Sequence, residues 1–259
     1  MKQSSLVVEQ FGATAKAYLN SAIHAQGADL EAVKVIVRRY PMPAVLDLGC
    51  GAGHVSFAVS NLAEKVTAYD LSEKMLAVVS ASAIERTLRN IEIQHGQAEK
   101  LPFPDESFDV VVTRLSAHHW ADVPAAMKEV RRVLRSGGVA VVIDIIAPEN
   151  PLHDTTLQAV ELLRDASHVR DYRATEWAAM FAAAGMEHQR ISEWRLKMEF
   201  DDWIARMRTP PERVAAIRSL LDSAPEETAS YFGIADDYSF FIDAALFEAR
   251  KQSQPVHEL

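Results

Sequence analysis

From residue 44 to residue 147, short apolar runs alternate with segments of helical periodicity. The first run, 44–48, leads into Gly49-Cys50-Gly51-Ala52-Gly53-His54, after which Val55, Ala58, Val59 and Leu62 recur at helical spacing. That reads as a strand, a glycine turn and a helix over 53–62. A second run predicts a strand at 65–70. Ser72 is a natural N-cap there, with Glu73 in the first turn and Met75, Leu76 and Val79 facing inward to about Leu88. Alternating Ile91-Glu92-Ile93-Gln94-His95 predicts strand three. Two prolines, Pro102 and Pro104, fix a loop over 96–104. Strand four follows at 108–113, then a loop at 114–120 and a helix over 123–134. Arg135-Ser136-Gly137-Gly138 is a helix stop before strand five, 139–146. Strands alternating with helices predict parallel pairing and a doubly wound α/β fold.

The flanks are less regular. Residues 4–20 place Phe11, Ala15 and Tyr18 on one helical face, and 29–39 reads as a second helix ended by Pro41 and Pro43. Beyond Ala147, helices are predicted at 152–163 and 175–184, the latter capped by Gly185. A strand follows at 187–200, short helices at 201–207 and 211–221, and a final strand at 238–250. The tail from Lys251 is polar.

Charge narrows the choice of partners. The chain has 259 residues and a formal net charge of −9, with 49% hydrophobic and 24% charged residues. An acidic globule of this kind is a poor nonspecific partner for nucleic acid or for an anionic membrane. The apolar run 139–147 is broken by Asp144 and is too short to span a bilayer. The single cysteine, Cys50, leaves no disulfide framework and no cysteine-based zinc site. No metal site is expected, and a cytoplasmic setting is the default reading.

The glycine turn carries the chemistry. A dinucleotide fingerprint counted from Gly49 requires glycine where His54 stands. Asp47 instead precedes three alternating glycines, and a carboxylate there suits a cationic amine better than a pyrophosphate. Asp70 closes the second strand, where doubly wound folds present an acid to ribose hydroxyls; its alternative role is to cap the following helix. An amine and a ribose on one ligand suggest S-adenosylmethionine (SAM).

With these residues the chain resembles the class I SAM-dependent methyltransferases. The likeness is to the subgroup around the ubiquinone and menaquinone C-methyltransferases, and most of all to bacterial members without an assigned substrate. Segments 45–53, 69–75, 96–108, 114–120 and 129–138 carry it; 147–149 and 165–170 match the unassigned members only. The resemblance implies a Rossmann-like, seven-stranded, mostly parallel sheet whose last two strands form a hairpin, the final strand entering antiparallel. It implies one domain: an N-terminal helical cap (1–40), a SAM-binding core (41–147), a substrate and lid region with a helical insertion (148–232), and a final strand and tail (233–259). The implied cofactor shell is Asp47, Gly49, Gly51, Gly53, His54, Asp70, Leu71, Met75, Gln97, Ala98, Arg114 and Tyr18. Gln97 stands where the family typically has an acid against adenine. Arg114 binds either the methionine carboxylate or a substrate acid. The Phe11–Tyr18 stripe either closes over the cofactor or packs into the core.

Methyl transfer needs no protein nucleophile, and a base only where the acceptor must lose a proton. His118 and His119 after strand four, and His168 between Arg164 and Arg170, are the candidate catalytic residues. His119 and His168 are expected to face one cavity, with an acid limb in activity near the ordinary histidine value of about 6.5 unless the pocket shifts it. Asp144 is expected to cap or pair within the sheet. The turn after strand four, Arg114-Leu115-Ser116-Ala117, lacks the Asn/Asp-Pro-Pro-aromatic pattern of nucleic-acid amine methyltransferases. A small or medium organic acceptor remains, apolar or aromatic in keeping with Met180, Trp194, Met198, Trp203 and Met207; S-adenosylhomocysteine (SAH) is the product. Two other readings stay open at this point: a SAM-binding module without transferase activity, and a nicotinamide-dependent oxidoreductase.

Overall fold

The computed structural model describes residues 1–12 and 27–251. Ala15, Tyr18 and the polar tail lie outside them. The sheet follows from its sequence pattern. Strands β1 (Ala44–Leu48), β2 (Lys65–Asp70), β3 (Ile91–His95), β4 (Phe108–Arg114) and β5 (Leu134–Ala147) are parallel, and β7 (Met186–Met198) and β8 (Phe240–Lys251) complete the order β3-β2-β1-β4-β5-β8-β7. β8 is antiparallel to both β5 and β7, as the hairpin requires. A two-residue strand, β6 (Tyr172–Arg173), pairs with the end of β5 and has no counterpart in the sequence reading.

Among the described residues the helices are α1 (Gln3–Gly12), α2 (Ala28–Val37), α3 (His54–Val59), α4 (Glu73–Glu85), α5 (Val123–Val133), α6 (Pro151–Arg164), α7 (Ala174–Ala183), α8 (Phe200–Met207), α9 (Pro211–Asp222) and α10 (Glu226–Phe232). The helix read over 53–62 is in fact α3 followed by a tighter 3-10 turn at Ser60–Leu62. Ser72 caps α4 by accepting from Met75 N–H at 3.4 Å.

Alternating strand residues divide between two faces, each covered by helices. Leu46, Val111 and Phe247 pack with Trp177 and Phe181 on one face; Val45, Val110, Val141 and Leu246 pack with α2 and α3 on the other. A third cluster joins Phe200, Trp203, Ile217 and Phe232 of the insertion to Leu157, Ile145 and Phe240. The insertion helices therefore close over the far end of β5 and β8 with a core of their own.

α10 has no counterpart in the sequence reading either, and the link from α5 to β5 also departs from expectation. Residues 135–138 do not form a separate helix stop, because β5 begins at Leu134, directly after α5. The β4–β5 register shifts between Phe108 and Val110, so the extra residues are taken up as a bulge. A side chain at Gly138 would meet the Arg135 and Asp109 carbonyl oxygens at 2.9 Å, which explains glycine there.

Candidate functional site

The carboxyl ends of β1, β2 and β4 open into a cavity of about 430 Å³. Its floor is the turn after β1. Gly49 and Cys50 both donate their N–H to the Tyr69 carbonyl, at 2.8 and 3.0 Å, which folds the turn back against β2. Gly51 N–H then donates to Asp70 Oδ2 at 2.8 Å. The three glycines have different jobs. A Cβ on Gly49 would collide with Ser116 Oγ, and one on Gly53 would meet Val79 and Phe57 at 2.9 and 3.0 Å. A Cβ on Gly51 would meet no protein atom within 4 Å, because it would project into the cavity, and φ is +49° there. Gly51 is thus the point where a ligand can lie against bare main chain.

Two carboxylates flank that point. Asp47 is 1% exposed, and its Oδ2 accepts from Ser56 N–H (2.9 Å) and Oγ–H (2.6 Å). Burial pushes its carboxyl up to about 6 against those two bonds. Asp70 accepts from Ser72 N–H through Oδ1 and from Gly51 through Oδ2, so it ties the glycine turn to the start of α4. Burial raises Asp70 as well. One buried and one half-buried acid, both raised, suit a ligand bearing a cation and hydroxyl donors.

Of the expected cofactor shell, Asp47, Gly49, Gly51, His54, Asp70, Leu71, Met75, Gln97, Ala98 and Arg114 line the cavity. Gly53 does not; it lies under the turn as the N-cap of α3, packed on Val79 and Phe57. Tyr18 lies outside the described residues. Arg114 Nε is 2.5 Å from Asp29 Oδ2 at the start of α2, and both side chains are nearly buried. The arginine is therefore already committed to one carboxylate while it faces the cavity.

The histidines separate. The turn Ala117–His119 points His119 into the cavity and His118 away from it. His118 Nδ1 is 2.6 Å from Asp144 Oδ1 on β5, and its carbonyl accepts from Val169 and Arg170 N–H at 2.8 and 3.2 Å. His168 stands behind His118, ring centroids 5.8 Å apart, near Gln158 and Asp171. The expectation that His119 and His168 share the cavity wall is therefore not met: His168 is inside the polar core under α6, and His118 separates the two. Asp144 has the structural role expected of it, with His118 as its partner.

The cluster's electrostatics follow from its order. Burial lowers the His118 pKa, but the charge and hydrogen bond of Asp144 outweigh it and leave His118 at about 9. Burial and the neighbouring His118 charge depress His119 to about 3, and the same pair of causes brings His168 to about 3. One imidazole holds the proton and its two neighbours stay neutral. The pocket thus shifts His119 well below the ordinary histidine value of about 6.5, and an acid limb from it moves down in the same direction. His119 Nδ1 is 3.1 Å from the Ser167 carbonyl oxygen. A carbonyl can only accept, so Nδ1 carries the hydrogen and Nε2 keeps its lone pair. Among the described residues no three His, Cys, Asp or Glu side chains converge as metal ligands.

Several wall residues were not singled out from sequence. Ser116 accepts from Trp120 Nε1–H at 3.2 Å, and both line the cavity. Glu99 Oε1 accepts from Ala121 and Asp122 N–H and braces the 114–120 loop. Gln3, Ser4 and Val7 of α1 complete the wall. Ser116 and Trp120 fall within a segment carrying the family likeness, whereas nothing local marks Gln3.

A family model described as a methyltransferase domain matches residues 46–142. The protein YafE of Escherichia coli (strain K12) is 43% identical over 203 residues, which is 78% of this chain and 98% of that protein. The uncharacterized methyltransferase YcgJ of Bacillus subtilis (strain 168) is 36% identical over 93% of this chain and 98% of its own length. Its crystal structure superposes with a TM-score of 0.84, covering 87% of this chain and 99% of that one. The demethylmenaquinone methyltransferase of Chlorobaculum parvum is 39% identical over 42% of this chain and 44% of its own length.

Proposed function

The chain belongs to the class I SAM-dependent methyltransferases, and on that footing we propose that the cavity above Gly51 holds SAM and a small or medium organic acceptor, with His119 as the base. The observation that carries this reading is the open cradle at Gly51, flanked by two carboxylates that burial raises.

When bound, SAM supplies an electrophilic methyl group and leaves as SAH. Asp47 takes the amine, as its raised pKa favours: burial outweighs the Ser56 hydrogen bonds and the more distant Arg114 charge. Asp70 accepts from the ribose hydroxyls through the lone pairs left beside Gly51 and Ser72. Gln97 and Ala98, on the loop after β3, take the adenine edge, and Leu71 and Met75 cover its face. Arg114 and His54 border the carboxylate end. Tyr18 belongs to the cap that completes the shell.

His119 Nε2 accepts the acceptor's proton as the methyl arrives. Methylation of a neutral hydroxyl oxygen, or of an enol at carbon, leaves a strongly acidic proton that even a weak base can take. A base held at about 3 is also never lost to protonation at working pH. Val7, Phe11, Leu115 and Trp120 line the same cavity, which favours an apolar or aromatic acceptor. The proposed division is a cap in the first 40 residues, a cofactor core over 41–147, a substrate region and lid over 148–232, none of whose residues lines the cavity, and a closing strand and tail over 233–259. No described helix is long and apolar enough to cross a membrane. The setting proposed for the protein is the cytoplasm.

The test is SAH formation with a panel of phenols, amines and enolisable ketones, alongside calorimetric titration with SAH. His119→Ala should lower turnover at least tenfold and leave SAH affinity within about twofold. Asp70→Ala should weaken SAH by roughly 1.5–3 kcal/mol, the range for hydrogen bonds to a charged group. Full turnover in His119→Ala refutes the base, and unchanged SAH affinity in Asp70→Ala refutes the cradle.

A further inference from the structure

α1 is tied to the rest of the chain at both ends. Gln3 Nε2 donates to the carbonyl oxygens of His119 (3.2 Å) and Ser167 (2.6 Å). Gln10 Nε2 donates to the Met207 carbonyl at the end of α8, at 2.9 Å. Between these anchors Ser4, Val7 and Phe11 form one wall of the cavity. The Phe11 ring meets the His119 ring edge-on, with centroids 4.8 Å apart and planes at 72°.

The two Gln3 bonds converge on His119. The Ser167 carbonyl that Gln3 holds is the same oxygen that fixes the His119 Nδ1 hydrogen. Gln3 also holds the carbonyl of His119 itself. The helix that walls the cavity therefore pins the backbone of the base, the acceptor that sets its tautomer and one edge of its ring.

None of the described α1 side chains is fully buried. A helix of ten residues is marginal by itself in water, so it is held by docking, through these hydrogen bonds and through Phe11 packed on Ala52 and Met75. We propose that Gln3 is a positioning residue, and that docking of α1 over the cavity is the event that sets the tautomer and orientation of His119. Closure of the cavity and assembly of the base are then one step, and the chemistry is withheld while the cavity is open. This rests on the reading of His119 as the base.

The variant Gln3→Met keeps the length and shape of the side chain and removes both donors. The 114–120 and 165–173 loops stay joined through Val169 and Arg170 N–H on the His118 carbonyl, so the fold should hold, as a thermal melt will check. The experiment is long-range proton–nitrogen NMR of ring-labelled histidines in SAH-saturated protein, with His119 assigned from His119→Ala. Wild type should show His119 as one neutral tautomer with hydrogen on Nδ1. Gln3→Met should show a mixture of both tautomers with broadened ring signals, and Gln3→Lys, which retains a donor of similar reach, should recover the single tautomer. Unchanged His119 signals in Gln3→Met overturn the positioning role and leave the base assignment intact. Full turnover in His119→Ala overturns the base, and the positioning role with it.

Discussion

Asp47 makes the affinity for SAH depend on pH in a direction the structure fixes. Without a ligand, burial holds this carboxyl at about 6, even though Ser56 gives it two hydrogen bonds. An ammonium placed beside it favours the ionised form and pulls the pKa down. Below pH 6 the ligand must therefore displace a proton in order to bind. The affinity is full above the ligand-free value and falls as pH drops through it, approaching tenfold per pH unit for one proton. At pH 5 about ten of every eleven Asp47 side chains are protonated, so SAH should bind about tenfold more weakly than at pH 7. Burial raises Asp70 in the same sense, which can only steepen the fall. Isothermal titration between pH 5 and pH 8, in two buffers of different ionisation enthalpy, reads both the affinity and the protons released. Asp47→Asn should bind weakly at every pH and lose Asp47's share of the slope. Equal SAH affinity at pH 5 and pH 7 in the wild type would refute the placement of the amine at Asp47.

The same geometry sets other outcomes. Gly51→Val should abolish SAH binding, because its branch projects into the cavity, whereas Gly53→Ala should act first on the thermal midpoint through Val79 and Phe57; calorimetry and melts of both variants separate the two, and retained SAH binding in Gly51→Val misplaces the cradle. His118, held at about 9 by Asp144 against its own burial, contributes about 3 kcal/mol that is complete below about 6.5 and lost as pH rises through 9. Asp144→Asn should cost a similar amount at pH 7, and in urea titrations at pH 7 and pH 9.5 it should erase most of the alkaline decline. His119 and His168, depressed to about 3, subtract stability as pH falls from about 6.5 towards 3, so the cluster by itself is most stabilising near 6.5.

Where the sequence was legible, the signal was local. Strands β1 and β2 begin and end where their apolar runs do, because both are buried in the middle of the sheet, and β3 follows the alternation of Ile91 and Ile93 with polar residues. Ser72 and its helix follow from capping chemistry within one turn. Asp47 and Asp70 each close a strand beside the glycine turn, so their place at the sheet's carboxyl edge followed from strand position. Residues 135–138 misled because a glycine pair satisfies a helix end and a strand bulge equally well. The pairing of β5 with β4 decided between them.

The sequence by itself determined the parallel sheet, the glycine turn, the two acids at the cofactor end and hence the class of cofactor. Each of these is a property of a window of a few residues. The tertiary structure decided which histidine is which. His118 and His119 are adjacent in the chain, chemically alike and in ring contact at 4.2 Å between centroids, yet only His119 lines the cavity. Their proton affinities then differ because Asp144 arrives from β5 beside His118, and Asp165 and Ser167 from the segment before β6 beside His119. Burial and charge at one ring are sums over all the segments packed against it. Those segments are distant in sequence and meet only when the sheet is complete, so no local window could have told the two imidazoles apart.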